Sequence, residues 1–478
     1  MDFSESYRCS SDPSPCYSPD GRHVACVVEY RLLIREVNYM RIVQLYPCLD
    51  RVSDIQWSPD SCYVMCGLFS RGILQIWSVD QPEWTCKIDE GPAGVSSVQW
   101  TPDGLSVVVV ADFRIRTTVW NLTDRKCTYL PGPKSAKGAL KFSPGGGQLA
   151  LLERRELRDQ MTVYDCASWR QLCSWALGTT DAEGVEWSPD GGRLAVWDSC
   201  LSYKVLIVSA SDGTLLSTYC AYEGGALGVK SVSWGGADGE LLAVGSFDQV
   251  GRVLNHITWQ PLMECLHPTT VRGPPHTVVY REVEESYEPH HQQQHSHGDA
   301  QDGSGSSGGA SPGGQRTPGG SGSGSGKTNG HTPLPDGKSK FMVCQLPSNI
   351  PSSTSVLEKG VPQIGIGTLE WSPDATYLAT VNEASAESVW LWDLSSMELA
   401  SVLTTAQPIK AAKWAPQGNT LAIVTGSGKV YLWSGQGASV IHIPLASFHA
   451  HGLTWAADGS SFLLTDREAF CITYLTGP

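Results

Sequence analysis

Apolar and polar residues alternate with a period of two along Leu74-Gln75-Ile76-Trp77 and Thr117-Thr118-Val119-Trp120, which predicts strands rather than helices. The fullest version of the pattern runs Trp371-Ser372-Pro373-Asp374, then Tyr377-Leu378-Ala379, then Val389-Trp390-Leu391-Trp392-Asp393-Leu394. It reads as an aromatic residue closing one strand, a Ser-Pro-Asp turn, a short apolar strand, a loop and an alternating third strand. Proline in the turn presets φ near about −65° and the aspartate accepts from the turn backbone, so the strands fold back antiparallel. One such unit is a small sheet with no core of its own.

The unit recurs. The aromatic residue before the turn is Tyr17, Trp57, Trp100, Phe142, Trp187, Trp234, Trp371, Trp414 and Trp455, at steps of 40, 43, 42, 45, 47, 137, 43 and 41 residues. A repeat of ~40–45 residues with four strands and a Trp-Asp motif marks a blade of a WD-type β-propeller. The third strands agree: Ile76-Trp77-Ser78, Val119-Trp120-Asn121, Val163-Tyr164-Asp165, Leu391-Trp392-Asp393 and Leu432-Trp433-Ser434. The expectation is an all-β propeller of about nine blades in one closed ring, with a smaller ring plus appended units as the alternative. Blades bury their faces only against neighbours, which argues for one ring although 478 residues would allow several domains.

No clear strand precedes the first turn, and the last unit ends soon after its third strand, Phe470 to Leu475. Residues from Phe3 to Cys9 are therefore expected to complete the C-terminal blade. The long step between Trp234 and Trp371 holds a His/Gln tract and then Gly/Ser repeats, whose composition buries too little apolar surface to order a chain. The division expected is 1–289 for about six blades, 290–338 for a disordered insertion, and 339–478 for about three blades. Thr277 to Val283 and Lys340 to Leu346 each read as a strand, and the two are expected to pair as a hairpin. Without the insertion this step keeps about 88 residues, which leaves a degenerate tenth blade open.

The formal charge of −14 disfavours a general nucleic-acid binder, which needs a basic face. The longest aliphatic run, Val107 to Ala111, is far short of the ~20 residues of a membrane helix. The stretch Met1 to Ser6 is acidic and polar, so no secretory signal or transit peptide is expected there. Fifteen cysteines scattered singly along strands predict reduced, buried thiols of a cytosolic protein, with the Asn121-Leu122-Thr123 sequon unused.

Candidate chemistry is sparse. Ser321 to Thr328 approaches a phosphate-binding loop, but Ser321 stands where the first glycine belongs and the flanks lack a strand and a helix. His290, His291, His295 and His297 lack the fixed surroundings of a metal site. Cys62 and Cys66 fall on one face of a predicted strand and are read as core, because no second Cys/His pair follows at zinc-site spacing. No Gly-x-Ser-x-Gly elbow is present. These observations predict no enzyme, no cofactor and no metal. The tryptophans at the repeated position are read as core. Trp84, Trp175 and Tyr203, the less regular aromatics, are better candidates for surface contacts than the repeated tryptophans, although a structural role is favoured for them too, and Glu282, Glu284, Glu285 and Glu288 read as a solvated acidic flank. Ser311, Thr317 and Thr332, each before proline, are candidate phosphorylation sites.

Four tracts carry a more specific resemblance: Met1-Asp2-Phe3-Ser4-Glu5; Arg51-Val52-Ser53-Asp54-Ile55-Gln56-Trp57-Ser58-Pro59-Asp60; Leu266-His267-Pro268 with Thr277-Val278-Val279-Tyr280-Arg281-Glu282-Val283-Glu284; and Gly365-Ile366-Gly367. Together they resemble the eukaryotic centrosome and spindle-pole WD-repeat family whose human member is encoded antisense to the tumour-protein-seventy-three gene. The resemblance spans nearly the whole chain except the Gly/Ser insertion. It implies a non-enzymatic scaffold of the cytoplasm and cytoskeleton, at the centrosome, spindle pole and basal body. Such a scaffold holds microtubule minus ends with a coiled-coil anchoring partner, in fungi also with a minus-end-directed kinesin, and supports spindle assembly and ciliogenesis. It implies neither nucleic-acid nor membrane partners. A translation-initiation propeller and a generic protein-complex adaptor are the alternatives.

Overall fold

The computed structural model describes residues 1–136, 138–224, 227–284, 338–353, 357–358 and 361–475. Met1–Val283 and Lys340–Pro478 form one compact unit, and Glu284–Ser339 is a separate one. Among the described residues there is no α-helix, only strands and four short 3₁₀ turns.

The first unit is a ring of nine sheets, as the repeat predicts. Blade 1 comprises Cys16–Tyr17, His23–Val28, Arg31–Glu36 and Ile42–Pro47, joined antiparallel in chain order. The innermost strands of blades 2 to 9 are Asp54–Trp57, Ser97–Trp100, Leu140–Phe142, Ala182–Trp187, Val229–Gly235, Ile366–Trp371, Ala411–Trp414 and Gly452–Trp455. Blade 9 is completed by the opposite end of the chain: Asp2–Phe3 and Tyr7–Arg8 both pair with Ala469–Tyr474. The unclear strand before the first turn is real but only two residues long.

The turns close as their chemistry dictates. Ser58 Oγ donates to Asp60 Oδ1 at 2.5 Å, that carboxylate accepts from Cys62 N at 3.0 Å, and Ser58 Oγ accepts from Tyr63 N at 2.8 Å. The same three bonds recur at Ser18 to His23, Thr101 to Ser106 and Ser372 to Tyr377. The position after the aspartate is left-handed, with φ of 63° at Ser61 and 55° at Ala375, where Gly21, Gly104 and Gly191 serve at the equivalent places.

No blade has a private core. Val27, Leu32, Ile34 and Tyr46 of blade 1 pack with Ile55, Trp57, Val64 and Leu68 of blade 2. Across the closure, Val24, Cys26 and Leu33 of blade 1 pack with Leu463, Phe470 and Ile472 of blade 9. The repeated tryptophans are core, as read, and they also fasten the joints. Each indole donates to a carbonyl on the innermost strand of the preceding blade, at 2.9–3.4 Å: Trp57 to Cys16, Trp100 to Gln56, Trp187 to Lys141, Trp234 to Glu186, Trp371 to Ser233, Trp414 to Glu370 and Trp455 to Lys413. At the other two joints Phe142 has no donor, and the Tyr17 hydroxyl meets Ser461 Oγ instead.

The long step forms no tenth blade among the described residues. Blade 7 is widened to six strands, with Val278–Glu284 parallel to Glu398–Thr404 and Ser339–Cys344 outermost beside it, so the two expected strands are indeed neighbours. Glu282 is correspondingly not a solvated flank. Its side chain is 1% exposed and accepts from Lys429 Nζ at 3.0 Å, Tyr431 OH at 2.8 Å and Ala406 N at 2.8 Å, bonding blade 7 to blade 8.

Other readings are also corrected. Tyr203 is buried, its hydroxyl beside Ser246 Oγ at 3.4 Å and its ring edge-on to Tyr219 and Tyr222, because its loop folds against blade 6. Trp84 and Trp175 are half-buried, Trp84 packing on Tyr63 at 4.8 Å between ring centres. Cys62 lies in the turn before strand Tyr63–Leu68, whereas Cys66 lies inside it and is buried.

Candidate protein-docking face

With four antiparallel strands per blade, the turn after the innermost strand and the loop after the third emerge on one face of the ring. The loop after the second strand and the link to the next blade emerge on the other. The most exposed large apolar side chains of that second face are Phe113 (92% exposed) and Ile115 (71%) on blade 3, Leu157 (87%) on blade 4 and Leu201 (81%) on blade 5. All sit between second and third strands, in the loops 111–115, 156–157 and 199–204. Among the described residues only one other large apolar side chain exceeds 70% exposure, Ile257 on the opposite face. Scattered exposed leucines need no explanation, but apolar loop tips on three consecutive blades form a set.

Their backbone is held in an unfavourable form. Phe113 and Arg114 both have φ of 56°, Glu156 has 49° and Leu157 has 64°, a region that costs non-glycine residues about 1 kcal/mol or more each. The loops below are tied together by charge. Asp159, with its side chain fully buried, accepts from Lys134 Nζ at 2.8 Å, Thr179 Oγ1 at 2.9 Å and Ala182 N at 2.6 Å. Lys134 and Arg154 each reach Asp181 at 2.7 Å, and Lys134 and Arg154 beside it hold the Asp181 carboxyl below the usual carboxylate range. Asp198, also buried, accepts from Thr180 N at 2.9 Å and Asp181 N at 2.7 Å. The Arg114 guanidinium donates to the Lys134 carbonyl. A continuous polar base thus runs from blade 3 to blade 5 beneath the apolar tips. Such a surface docks with little further ordering.

Arg154 and Arg155 stay part-exposed (38% and 48%) while their partners Asp159 and Glu153 are buried, Lys134 is largely buried, and Arg158 has no ion-pair partner among the described residues. A −14 chain therefore presents guanidinium groups beside apolar tips at this arc.

Elsewhere the chemistry stays sparse. A cavity of about 670 Å³ at the inner strands of blades 1 to 4 is lined by Asp12, Ser53, Asp54, Gln56, Ser97 and Gln99. Among the described residues no group of three or more His, Cys, Asp or Glu is placed to hold a metal, and no helix is long and apolar enough to cross a membrane. Ser311, Thr317 and Thr332, the histidines 290, 291, 295 and 297, and the Ser321 to Thr328 stretch lie outside the described residues. Sequence reading did not find Phe113, Ile115, Leu157 or Leu201. The available signal was a large apolar residue inside a charged loop, as in Asp112-Phe113-Arg114 and Glu156-Leu157-Arg158.

No family model matches the chain. The mouse protein named WD repeat-containing protein WRAP73 is 39% identical over 483 residues, covering 99% of this chain and 96% of that protein. An uncharacterised WD repeat-containing protein of Schizosaccharomyces pombe is 21% identical over 455 residues, covering 89% and 82%. Among solved structures, a eukaryotic initiation factor superposes with a TM-score of 0.53 at 12% identity, covering 91% of this chain and 89% of that one.

Proposed function

The chain belongs to the WD-repeat family of mouse WRAP73, and from that premise we propose that it is a scaffold of the centrosome, spindle pole and basal body. In this reading it holds microtubule minus ends together with a coiled-coil partner and, where present, a minus-end-directed kinesin, and it serves spindle assembly and ciliogenesis. The coarser part, a WD-repeat propeller acting as scaffold or adaptor, follows from the family and the ring. The observation that carries the reading is the preorganised arc of apolar tips over a bonded polar base, a surface made for protein contact. An acidic body is repelled by the acidic microtubule surface, so contact with microtubules runs through the partner.

The test is affinity purification of the tagged full chain from mitotic cells, with imaging of its location. A coiled-coil minus-end anchor in the eluate and signal at the poles support the reading. Ribosomal subunits or ubiquitin-ligase components without any pole protein overturn it. The likeness to an initiation factor at 12% identity carries the fold alone.

A further inference from the structure

We propose that the arc of Phe113, Leu157 and Leu201 is a docking site for an acidic amphipathic α-helix of a partner protein, laid across blades 3, 4 and 5. The inference deepens the scaffold reading above and rests on it.

The spacing selects a helix. Neighbouring blades are sheets stacked face to face, about 10 Å apart. A helix advances about 10.5 Å in seven residues, so side chains at i, i+7 and i+14 lie on one face and meet three successive blades. An extended strand advances about 10 Å in three residues, which turns the side chain to its opposite face. Three heptads, about 21 residues, cover the arc.

The charge selects an acidic partner. Arg154, Arg155 and Arg158 flank Leu157 against the single exposed Glu156 beside it, and Arg114 stands between Phe113 and Ile115 next to a half-buried Asp112, while Asp181 is already bonded to Lys134 and Arg154. Each guanidinium carries five donors, so those already bonded to a buried carboxylate keep capacity for a second one from outside. Glutamates beside the heptad positions of the partner meet these groups, while the acidic remainder of the ring disfavours binding elsewhere. The polar base fixes the tips beforehand, through Lys134, Asp159, Asp181 and Asp198.

The experiment places the photo-crosslinking residue p-benzoylphenylalanine at position 157 of the full chain in mitotic cells, with position 257 on the opposite face as control, and identifies the crosslinked peptides. Crosslinks from 157 to a segment with heptad-spaced apolar residues and intervening Glu or Asp are expected. In parallel, Leu157→Asp and Arg158→Glu are compared with the unmodified chain. Both side chains are exposed, so thermal melting should stay put, while recovery of the crosslinked partner should fall about tenfold or more for the first and severalfold for the second. Crosslinks from 157 to a basic or extended segment, to a second copy of this chain, or to nothing overturn the proposal, as does undiminished partner recovery with Leu157→Asp. The two readings fail separately. If pole proteins are recovered equally with Leu157→Asp, the scaffold stands and this site falls. If the helix crosslinked at 157 belongs to a protein absent from the poles, the site stands and the spindle-pole reading falls.

Discussion

Of the buried carboxylates that fasten this ring, Glu282 and Asp159 make the sharpest contrast, because only Asp159 lies beneath a surface that invites a partner. Glu282, between blades 7 and 8, is closed in by Lys429, Tyr431 and the Ala406 amide, and burial, reinforced by the Glu282 charge, pushes the Tyr431 hydroxyl well above its usual pKa. Asp159, between blades 4 and 5, gathers Lys134, Thr179 and the Ala182 amide, but Leu157 stands in water two residues before it. A buried ion network therefore marks a fastened joint. What lies over the joint decides whether it is also a meeting place.

Removing each hub in turn separates what the two do. Glu282→Ala leaves Lys429, whose side chain is 6% exposed, as an unpaired buried cation, and should destabilise by about 3–5 kcal/mol in thermal or denaturant unfolding. Partner binding by the chain that remains folded should be unchanged. Asp159→Ala should cost a similar amount and also weaken partner binding, because the loops under Leu157 lose their common anchor. Equal binding losses in the two variants would mean that the Asp159 joint is no more a meeting place than the Glu282 joint.

Acid should separate the two sides next. His267 Nδ1 donates to the Gln249 carbonyl at 3.2 Å and its Nε2 lies 2.8 Å from Thr380 Oγ1, which also receives the Trp392 indole at 3.0 Å, and burial pulls the His267 pKa down to about 4. A histidine lowered in the folded state favours the fold fully above its unfolded value near 6.5 and loses that contribution as pH falls toward 4, at most ~3 kcal/mol. Hydrogen exchange at pH 5 against pH 7 should show protection falling first around blades 6 and 7. Asp181, held low by Lys134 and Arg154, keeps the base of the arc ionised over the same range. Loss of protection beginning in blades 3 to 5 would contradict this.

Smaller effects sharpen the picture. Trp414→Phe keeps the ring but removes its bond to the Glu370 carbonyl at 2.9 Å, and should cost about 1 kcal/mol by chemical denaturation. The joint at Phe142 manages without such a bond, so a cost much larger than this would mean the joints are not equivalent. Phe113→Gly should shift stability by no more than about 0.5 kcal/mol, since relief of the left-handed φ offsets the added freedom of the unfolded chain. Partner recovery should nevertheless fall. A stability loss above ~1 kcal/mol would show that Phe113 serves the fold.

The ring was legible because its causes are local and repeated. A turn carrying Pro, Asp or both, with an aromatic residue just before it, recurs in every blade, so spacing alone reveals it, and even the completion of blade 9 by residues near Phe3 follows from a strand left missing. Glu282 was misread because its partners Lys429 and Tyr431 lie 147 and 149 residues away, beyond any local pattern. In a run of glutamates its sequence neighbours gave no reason to expect burial. Tyr203 was misread for the same reason, its company being Ser246 and Arg252 of the next blade. The docking tips escaped because exposure is a property of the folded ring. An apolar residue in a loop reads as core until the loop is seen to point away from it.

The antiparallel zipper between Asp2–Phe3 and Ala469–Tyr474 also sets a timetable for synthesis. On the ribosome, the earliest strand must wait for the translation of more than 460 further residues before its partner exists. At ~5–20 residues per second that is on the order of half a minute or more. Throughout that interval Val24, Cys26 and Leu33 of blade 1 lack the blade 9 residues that cover them in the finished ring. The growing arc is thus a hydrophobic, chaperone-accessible intermediate by geometry, and the final blade acts as the clasp that ends its vulnerability.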